Sequence, residues 1–422
     1  MEEDLTEGYE AGPVAVVCTV GGSPAPIRSM LAALRPNAIA FIVSSSEGAT
    51  QSSRSQVEDG VLEDGGPGLR CSPGAPGDVH SVRIIEVPLD DPDAIYRRFL
   101  DTIDWIRQRA PEARFVADYT GGTKSMSSGL LLAALSRSWV DIQFMAGDRS
   151  DLIRVADGSE HPRIIGSARI HADRTIAAAE EAIAGWDYAA AARILRDLRK
   201  PGSGLARAQR RLVEAMVDWC ETLALWDAFR HREAYRSFRD REVVLPAKAA
   251  ASLAALAAAD TRPSFALSED LWLNALRRAE TGRYDDALAR LYRVTESALQ
   301  AQVFVKFAKT TDSIRFEELP PKLQARRSPE AFGLGLADTA RYLREMDADD
   351  AFAGAFFSEA VDEAPKWLAR RNHSILAHGF SATRAEDWCS ARDWIASRLR
   401  PLWTTDTSLI AEQLPHAFSE RR

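Results

Sequence analysis

Residues 114–126 read RFVADYTGGTKSM. A short β-rich run (114–119) ends in a Thr-Gly-Gly turn, and residues 127–135 continue as a helix. Strand, tight turn and helix in that order form half of a βαβ unit, and the surrounding sequence repeats it. Residues 14–20 (VAVVCTV) read as a buried strand, with GGSPAP as the loop into a helix over 27–34. Residues 38–44 (AIAFIVS) and 82–87 (VRIIEV) are further strands, the latter followed by an amphipathic helix over about 93–109; residues 141–146 complete a set of five. Continuous Val/Ile runs separated by helices predict a parallel sheet covered on both faces. The fold class expected here is α/β, Rossmann-like and doubly wound, and such sheets bind ligands at the carboxyl ends of their strands.

Two glycine-rich loops lie at those ends. The first comprises Asp118, Thr120, Gly121, Gly122, Thr123, Lys124, Ser125 and Met126. The glycines allow close backbone approach, the helix start supplies N–H groups for an anion, and the hydroxyls and Lys124 add donors and charge. The second comprises Thr19, Gly21, Gly22 and Ser23 after the first strand. The two together suggest an extended phosphate ligand; either alone reads equally well as a tight strand-to-helix turn. The first is not a Walker A loop, because Thr123 separates Gly122 from Lys124, and neither is GxGxxG, so a dinucleotide redox cofactor is poorly supported.

Residues 45–78, rich in Ser, Gly, Pro and acidic residues, read as a flexible insertion with little packing of its own. A lid over the ligand site is the alternative reading. Residues 153–170 have mixed β character and suggest an edge hairpin. After His171 the composition turns to Ala, Leu, Arg and Glu. Helices are expected at 172–185, 187–199, 205–238, 246–259, 268–281, 283–309, 335–347, 350–360, 365–378 and 385–400. Residues 186–189 (WDYA) and 283–287 (RYDDA) look alike, each a turn into an Ala/Leu/Arg helix, but two units do not make a repeat array. The expected organisation is an N-terminal domain over 1–170, a helical linker bundle over 171–265 and an all-α domain over 266–422.

The chain of 422 residues is 46% apolar and 27% charged, ordinary for a soluble protein. Its net charge of −8 argues against coating duplex DNA by bulk electrostatics. Cys18, Cys71, Cys220 and Cys389 form no CxxC pair, so neither a zinc site nor a disulfide framework is indicated. A reduced cytoplasmic setting fits. The acidic N-terminal stretch MEEDLTEGYE does not read as a signal peptide, and no apolar run is long enough to span a membrane.

Near the C-terminus, residues 366–379 read KWLARRNHSILAHG. Pro365 suits the first position of a helix and Gly379 the position just past its end. At roughly 100° per residue, a separation of seven returns to the same face, which would stack Arg371 and His378 two turns apart. An imidazole can move a proton near neutral pH, and a guanidinium holds developing phosphorane charge with paired donors. This is the equipment for metal-free RNA cleavage, although on spacing alone a surface Arg and a helix-end His are the commoner source of such a pattern. His373 is expected to face away. Trp367, Leu368, Ile375 and Leu376 are expected in core or dimer packing, and Arg370 against substrate phosphates.

The DYTGGTKSM turn on a Rossmann-like domain resembles the ligand loop of the CARF domain, the CRISPR-associated Rossmann fold. Arg371-Asn372 followed by His378, with six residues between Arg and His, resembles the HEPN ribonuclease motif at the long end of its spacing. Together, in this order, they resemble the CARF–HEPN ribonucleases of type III CRISPR systems. The resemblance leaves residues 172–265 unexplained.

That resemblance implies a homodimer that binds cyclic oligoadenylate as activator through Thr19, Gly21, Gly22, Ser23, Asp118 and residues 120–126. It implies an endoribonuclease cutting single-stranded RNA with Arg371 and His378 as catalytic residues and Asn372 orienting them. No metal cofactor is expected, because the 2′-hydroxyl of the RNA attacks the adjacent phosphate to leave a 2′,3′-cyclic phosphate. The competing reading is a non-catalytic sensor that recruits a partner through its helical half, weakened by the absence of a winged-helix pattern or a strongly basic recognition helix. A further variant adds slow cleavage of the messenger by the α/β half.

Overall fold

Strands β1 (Val14–Thr19), β2 (Ala38–Ser44), β3 (Val82–Val87), β4 (Arg114–Asp118), β5 (Val140–Ala146) and β6 (His161–Ile165) form a six-stranded sheet. The spatial order is β3-β2-β1-β4-β5-β6. The first five strands are parallel, with Val17 opposite both Ala40 and Ala117, and β6 closes the edge antiparallel to β5. Side chains alternate between two cores, as a period of two requires. Ala15, Val17, Ala40 and Ile42 face one core, and Val16, Cys18, Ile39 and Phe41 the other. Strands buried on both faces cannot alternate polar with apolar, which is why their sequence reads as unbroken Val/Ile/Ala runs.

Helices α3 (Pro92–Arg109) and α4 (Lys124–Leu135) cover the first face, and α1 (Ala25–Leu34) the second. The one-turn helix α2 (Ser55–Glu58) and its neighbours also cover the second face, and here the expectation of an insertion with little packing fails. Val57 and Leu69 are fully buried in that core. Arg28 on α1 binds Asp64 with both Nη atoms and donates from Nη2 to the Pro67 carbonyl at 2.7 Å. At Gly74, with φ of +90°, a Cβ would lie 2.2 Å from the Leu31 carbonyl oxygen, so only glycine fits. Low sequence hydrophobicity concealed two anchors that suffice to pin the segment.

The structure, a computed structural model, describes residues 12–45, 52–58, 60–88, 90–137, 139–147, 161–165, 167–199, 205–259, 262–330, 333–357, 365–403 and 413–419. It divides into two compact units, residues 1–174 and 175–422. The acidic N-terminal stretch and the first arm of the expected edge hairpin lie outside the described residues, as do parts of the 45–78 insertion and of the helix expected at 350–360. The second arm of that hairpin is β6, but residues beyond it are helical rather than extended.

The unit boundary falls within α5 (Ser167–Ala184). There follow α6 (Tyr188–Arg196), α7 (Arg207–Asp227), α8 (His231–Asp240), α9 (Ala247–Ala259), α10 (Phe265–Glu280) and α11 (Tyr284–Phe307). After these come α12 (Pro321–Gln324), α13 (Leu336–Met346), α14 (Ala351–Phe356), α15 (Lys366–Asn372) and α16 (Ala385–Arg398). The helix expected over 205–238 is two helices, α7 and α8, turned at Phe229 with φ of 60°.

The likeness between residues 186–189 and 283–287 has a geometric basis, and it occurs a third time at Phe229. Trp186, Phe229 and Gly282 all have positive φ, at 55°, 60° and 74°. Each donates its N–H three residues back, to Ile183, Trp226 and Ala279, while the following N–H reaches five back, to Ala182, Leu225 and Arg278. This is the left-handed helix ending that satisfies orphan carbonyls. Trp186 and Phe229 adopt it without the freedom of glycine, at about 1 kcal/mol each.

A core around α10 and α11 collects Leu343 of α13, Phe356 of α14, Trp367 and Leu368 of α15, and Trp388 and Ile395 of α16. Residues 413–419 lie against the earlier hairpins of the same unit. Tyr188 Oη donates to the Pro415 carbonyl at 2.7 Å, Trp186 Nε1 donates to that of Leu414 at 3.1 Å, and the Phe418 ring meets Trp219 edge-on. No helix among the described residues is long and apolar enough to cross a membrane.

Candidate functional site

In the α/β unit the strand order reverses between β1 and β4, which is where a doubly wound sheet opens a ligand crevice. Both glycine loops lie there, and they touch. A Cβ on Gly21 would lie 2.6 Å from Gly122 N, and one on Gly121 would lie 2.4 Å from the Thr19 carbonyl oxygen. Gly122 has φ of +87°. These glycines are therefore required by loop-to-loop contact. Gly22, in contrast, has open space where a Cβ would be.

Most of the hydroxyls expected to meet a ligand instead build the loops. Thr19 is buried and donates through Oγ1 to the Gly121 carbonyl at 2.5 Å. Thr120 Oγ1 accepts from Met145 N at 2.8 Å, and Thr123 caps α4 by accepting from Met126 N. Ser125 donates to Asp90, which brings an acidic side chain beside the start of α4. Asp118 is 1% exposed; it accepts from Thr120 N and Gln143 Nε2, and burial pushes its carboxyl above the ordinary range while those bonds pull the other way. Met126 is fully buried in the sheet–helix core. The expectation that Thr19, Asp118 and Met126 present side chains to a ligand is thus corrected: they are internal. Gly21, Gly22, Ser23, Gly121, Gly122 and the exposed Lys124 form the outward part of the cluster. Gln56, which sequence reasoning passed over, reaches the rim and donates to the Gly22 carbonyl at 3.4 Å.

In the helical unit, the motif stretch is not one helix. α15 ends at Asn372, and His378 does not share a helical face with Arg371. A compact turn follows instead. Ser374 N donates to the Arg371 carbonyl, His378 N to that of Asn372 at 3.2 Å, and Ser381 N to that of His373 at 3.1 Å. Asn372, His373 and Ser374 are poor helix formers, and Ser374 is buried in the turn, which favours the break. Gly379 serves that turn rather than capping a helix, since a Cβ there would lie 2.1 Å from the His373 carbonyl oxygen. Pro365 precedes the first helical residue as its cap rather than occupying it. The turn nonetheless folds His378 back to the end of α15 that carries Arg371 and Asn372.

Arg371 is part-buried, with its guanidinium carbon 4.0 Å from the centroid of the Tyr292 ring on α11. Its Nη1 donates to Asn372 Oδ1 at 3.2 Å, the contact expected of an orienting Asn. Burial and Glu296 raise the Tyr292 phenol above its ordinary range, opposed by Arg371, so the ring is neutral at neutral pH. Arg370 pairs with Asp387, and its side chain stays mostly exposed. His373 is exposed at the helix end. Trp367 and Leu368 are core, but Ile375 and Leu376 are 60% and 51% exposed, so the core alternative fails for these two. With the almost fully exposed Phe380 they make an apolar patch on the motif turn. Past the turn, Thr383 is fixed to α11 by two hydrogen bonds to Asp285 Oδ1, at 3.0 and 2.7 Å.

Comparison with known proteins gives two findings. Residues 257–400, which contain Arg371, Asn372 and His378, match the family model described as the Csm6 HEPN domain. Among solved structures, Enterococcus italicus Csm6 bound to cyclic hexa-2′-fluoro-hexa-dAMP is similar, with a TM-score of 0.56 and 10% identity over 93% of this chain and 95% of that one. At that identity the likeness speaks for the fold, an α/β sheet followed by a helical region. None of the curated protein sequences matches.

Proposed function

We propose that this chain, a CRISPR-associated CARF–HEPN protein with a Csm6 HEPN domain, is an endoribonuclease switched on by cyclic oligoadenylate and independent of metal. The observation that carries the reading is the Csm6 HEPN match, which spans the Arg371–His378 turn. The three-part division is kept as the functional one: a sensing domain over 1–170, a helical linker over 171–265 and the ribonuclease domain over 266–422. The messenger site comprises the outward faces of the two glycine loops, with Ser23 and Lys124 facing the phosphates.

Cleavage follows from the chemistry of RNA itself. The 2′-oxygen forms a bond to the neighbouring phosphorus as the bond to the 5′-oxygen breaks. A His378 imidazole takes the 2′-hydroxyl proton or supplies one to the departing oxygen, a contribution typically of 10²–10⁴-fold. Arg371 holds the charge that develops on the phosphorane, and Asn372 orients it. Two copies of the motif turn, brought together in a homodimer, complete the site, with Ile375, Leu376 and Phe380 covered in the contact.

The test is cleavage of a fluorescent single-stranded RNA in EDTA, with each cyclic oligoadenylate ring size added in turn. The reading requires cleavage that appears with one ring size. Tight binding of a ring with no cleavage would leave a sensor in place of a nuclease.

A further inference from the structure

The two neighbouring arginines of α15 are treated differently by their surroundings. Arg370 pairs with the carboxylate of Asp387. Arg371 forms no ion pair among the described residues; it lies 4.0 Å over the Tyr292 ring, with one hydrogen bond to the neutral amide of Asn372 and a buried Nε that has no hydrogen-bond partner. A carboxylate in that place would take both the charge and the paired N–H groups of the guanidinium. A ring face attracts the cation without accepting its N–H donors as a carboxylate does. The same surface of α11 also holds the far side of the motif. Asp285, seven residues and thus two helical turns before Tyr292, anchors Thr383 beyond His378.

We propose that Tyr292 is the positioning residue of the ribonuclease site: its ring fixes the guanidinium of Arg371 without neutralising it, so that the full charge meets the scissile phosphate. The proposal rests on the ribonuclease reading given above. It is the ring face and not the hydroxyl that does this, so phenylalanine replaces tyrosine and an aliphatic side chain does not.

The experiment measures messenger-stimulated cleavage of single-stranded RNA by the full-length protein in EDTA, with kcat and KM separated. Tyr292→Phe stays within about threefold of the parent. Tyr292→Leu loses tenfold or more in kcat with KM changed less than threefold, the signature of an interaction realised in the transition state. Its unfolding midpoint and oligomeric state stay those of Tyr292→Phe; should Leu fail to fold, Tyr292→Met serves in its place. Parental kcat in the aliphatic variant overturns the proposal, as does an equal loss in Tyr292→Phe, which would assign the role to the hydroxyl. If the parent cleaves and only these comparisons fail, the ribonuclease reading stands and Tyr292 is ordinary packing. If the parent does not cleave with any ring, both fall together.

Discussion

The backbone N–H of His378 donates to the carbonyl of Asn372 at 3.2 Å, so His378 is returned to the end of α15 by a closed turn and not by a continuing helix. The site geometry therefore depends on backbone packing within nine residues rather than on helical periodicity. At Gly379 this packing leaves no room for a Cβ.

Gly379→Ala should abolish most activity without unfolding the chain. The added methyl would meet the His373 carbonyl oxygen at 2.1 Å, and the turn must open to admit it. A displacement of about 1 Å at a catalytic group costs on the order of 100-fold. RNA cleavage should fall by at least that factor while far-ultraviolet circular dichroism is unchanged; an active Gly379→Ala would mean that the turn tolerates rearrangement.

The glycine loops of the α/β unit offer an internal control. Gly21→Ala places a Cβ 2.6 Å from Gly122 N and must separate the loops, whereas Gly22→Ala enters open space. Titration with cyclic oligoadenylate should show affinity reduced tenfold or more in the first variant and by less in the second, which leaves the contact between the loops intact. Equal effects would locate the ligand away from the contact between the loops.

Asp118 gives a pH dependence whose sign is fixed by its burial. Its carboxyl is raised in the folded chain, so the fold keeps the proton to higher pH than the unfolded chain does. That contribution favours folding below the ordinary carboxylate range and is lost as pH rises through the raised value. Asp118→Asn removes the ionisation, and the buried Gln143 Oε1, which lacks a partner, can accept from the new amide once the Gln143 side chain turns over. Thermal unfolding followed from the ordinary carboxylate range up to pH 8 should show less loss with rising pH in Asp118→Asn than in the parent, and messenger affinity should be retained. Loss of affinity with an intact fold would return Asp118 to the ligand site.

The segment 413–419 should be a stabilising strap. Leu414 is 2% exposed, and its carbonyl accepts from Trp186. Truncation of a buried leucine to alanine costs about 2–5 kcal/mol. Leu414→Ala should lower the denaturation midpoint of the helical unit accordingly, and an unchanged midpoint would show the strap to be a passive contact.

The parallel sheet was legible because its strands are buried on both faces: residues 38–44 could hardly be anything else. The strand order that brings the two glycine loops into contact was not, since nothing in a strand's own residues names its neighbours. Which residues of the loops face outward was not legible, since Thr19, Asp118 and Met126 have the composition of a site and the burial of a core. The break after Asn372 and the turn at Phe229 lack the Gly or Pro at the bend that usually marks one. Tyr292 was missed because its relation to Arg371 exists only after α11 and α15 pack. Val57 and Leu69 were missed because two anchors in a polar segment leave no period to detect.

The most direct measurement is messenger-stimulated cleavage in EDTA by the parent and by His378→Ala, with the ends of the RNA fragments identified. The parent should leave 2′,3′-cyclic phosphate and 5′-hydroxyl ends at a rate unaffected by the chelator, and His378→Ala should lose at least 100-fold. Undiminished cleavage by His378→Ala, or fragments with 3′-hydroxyl ends that vanish in EDTA, would contradict it.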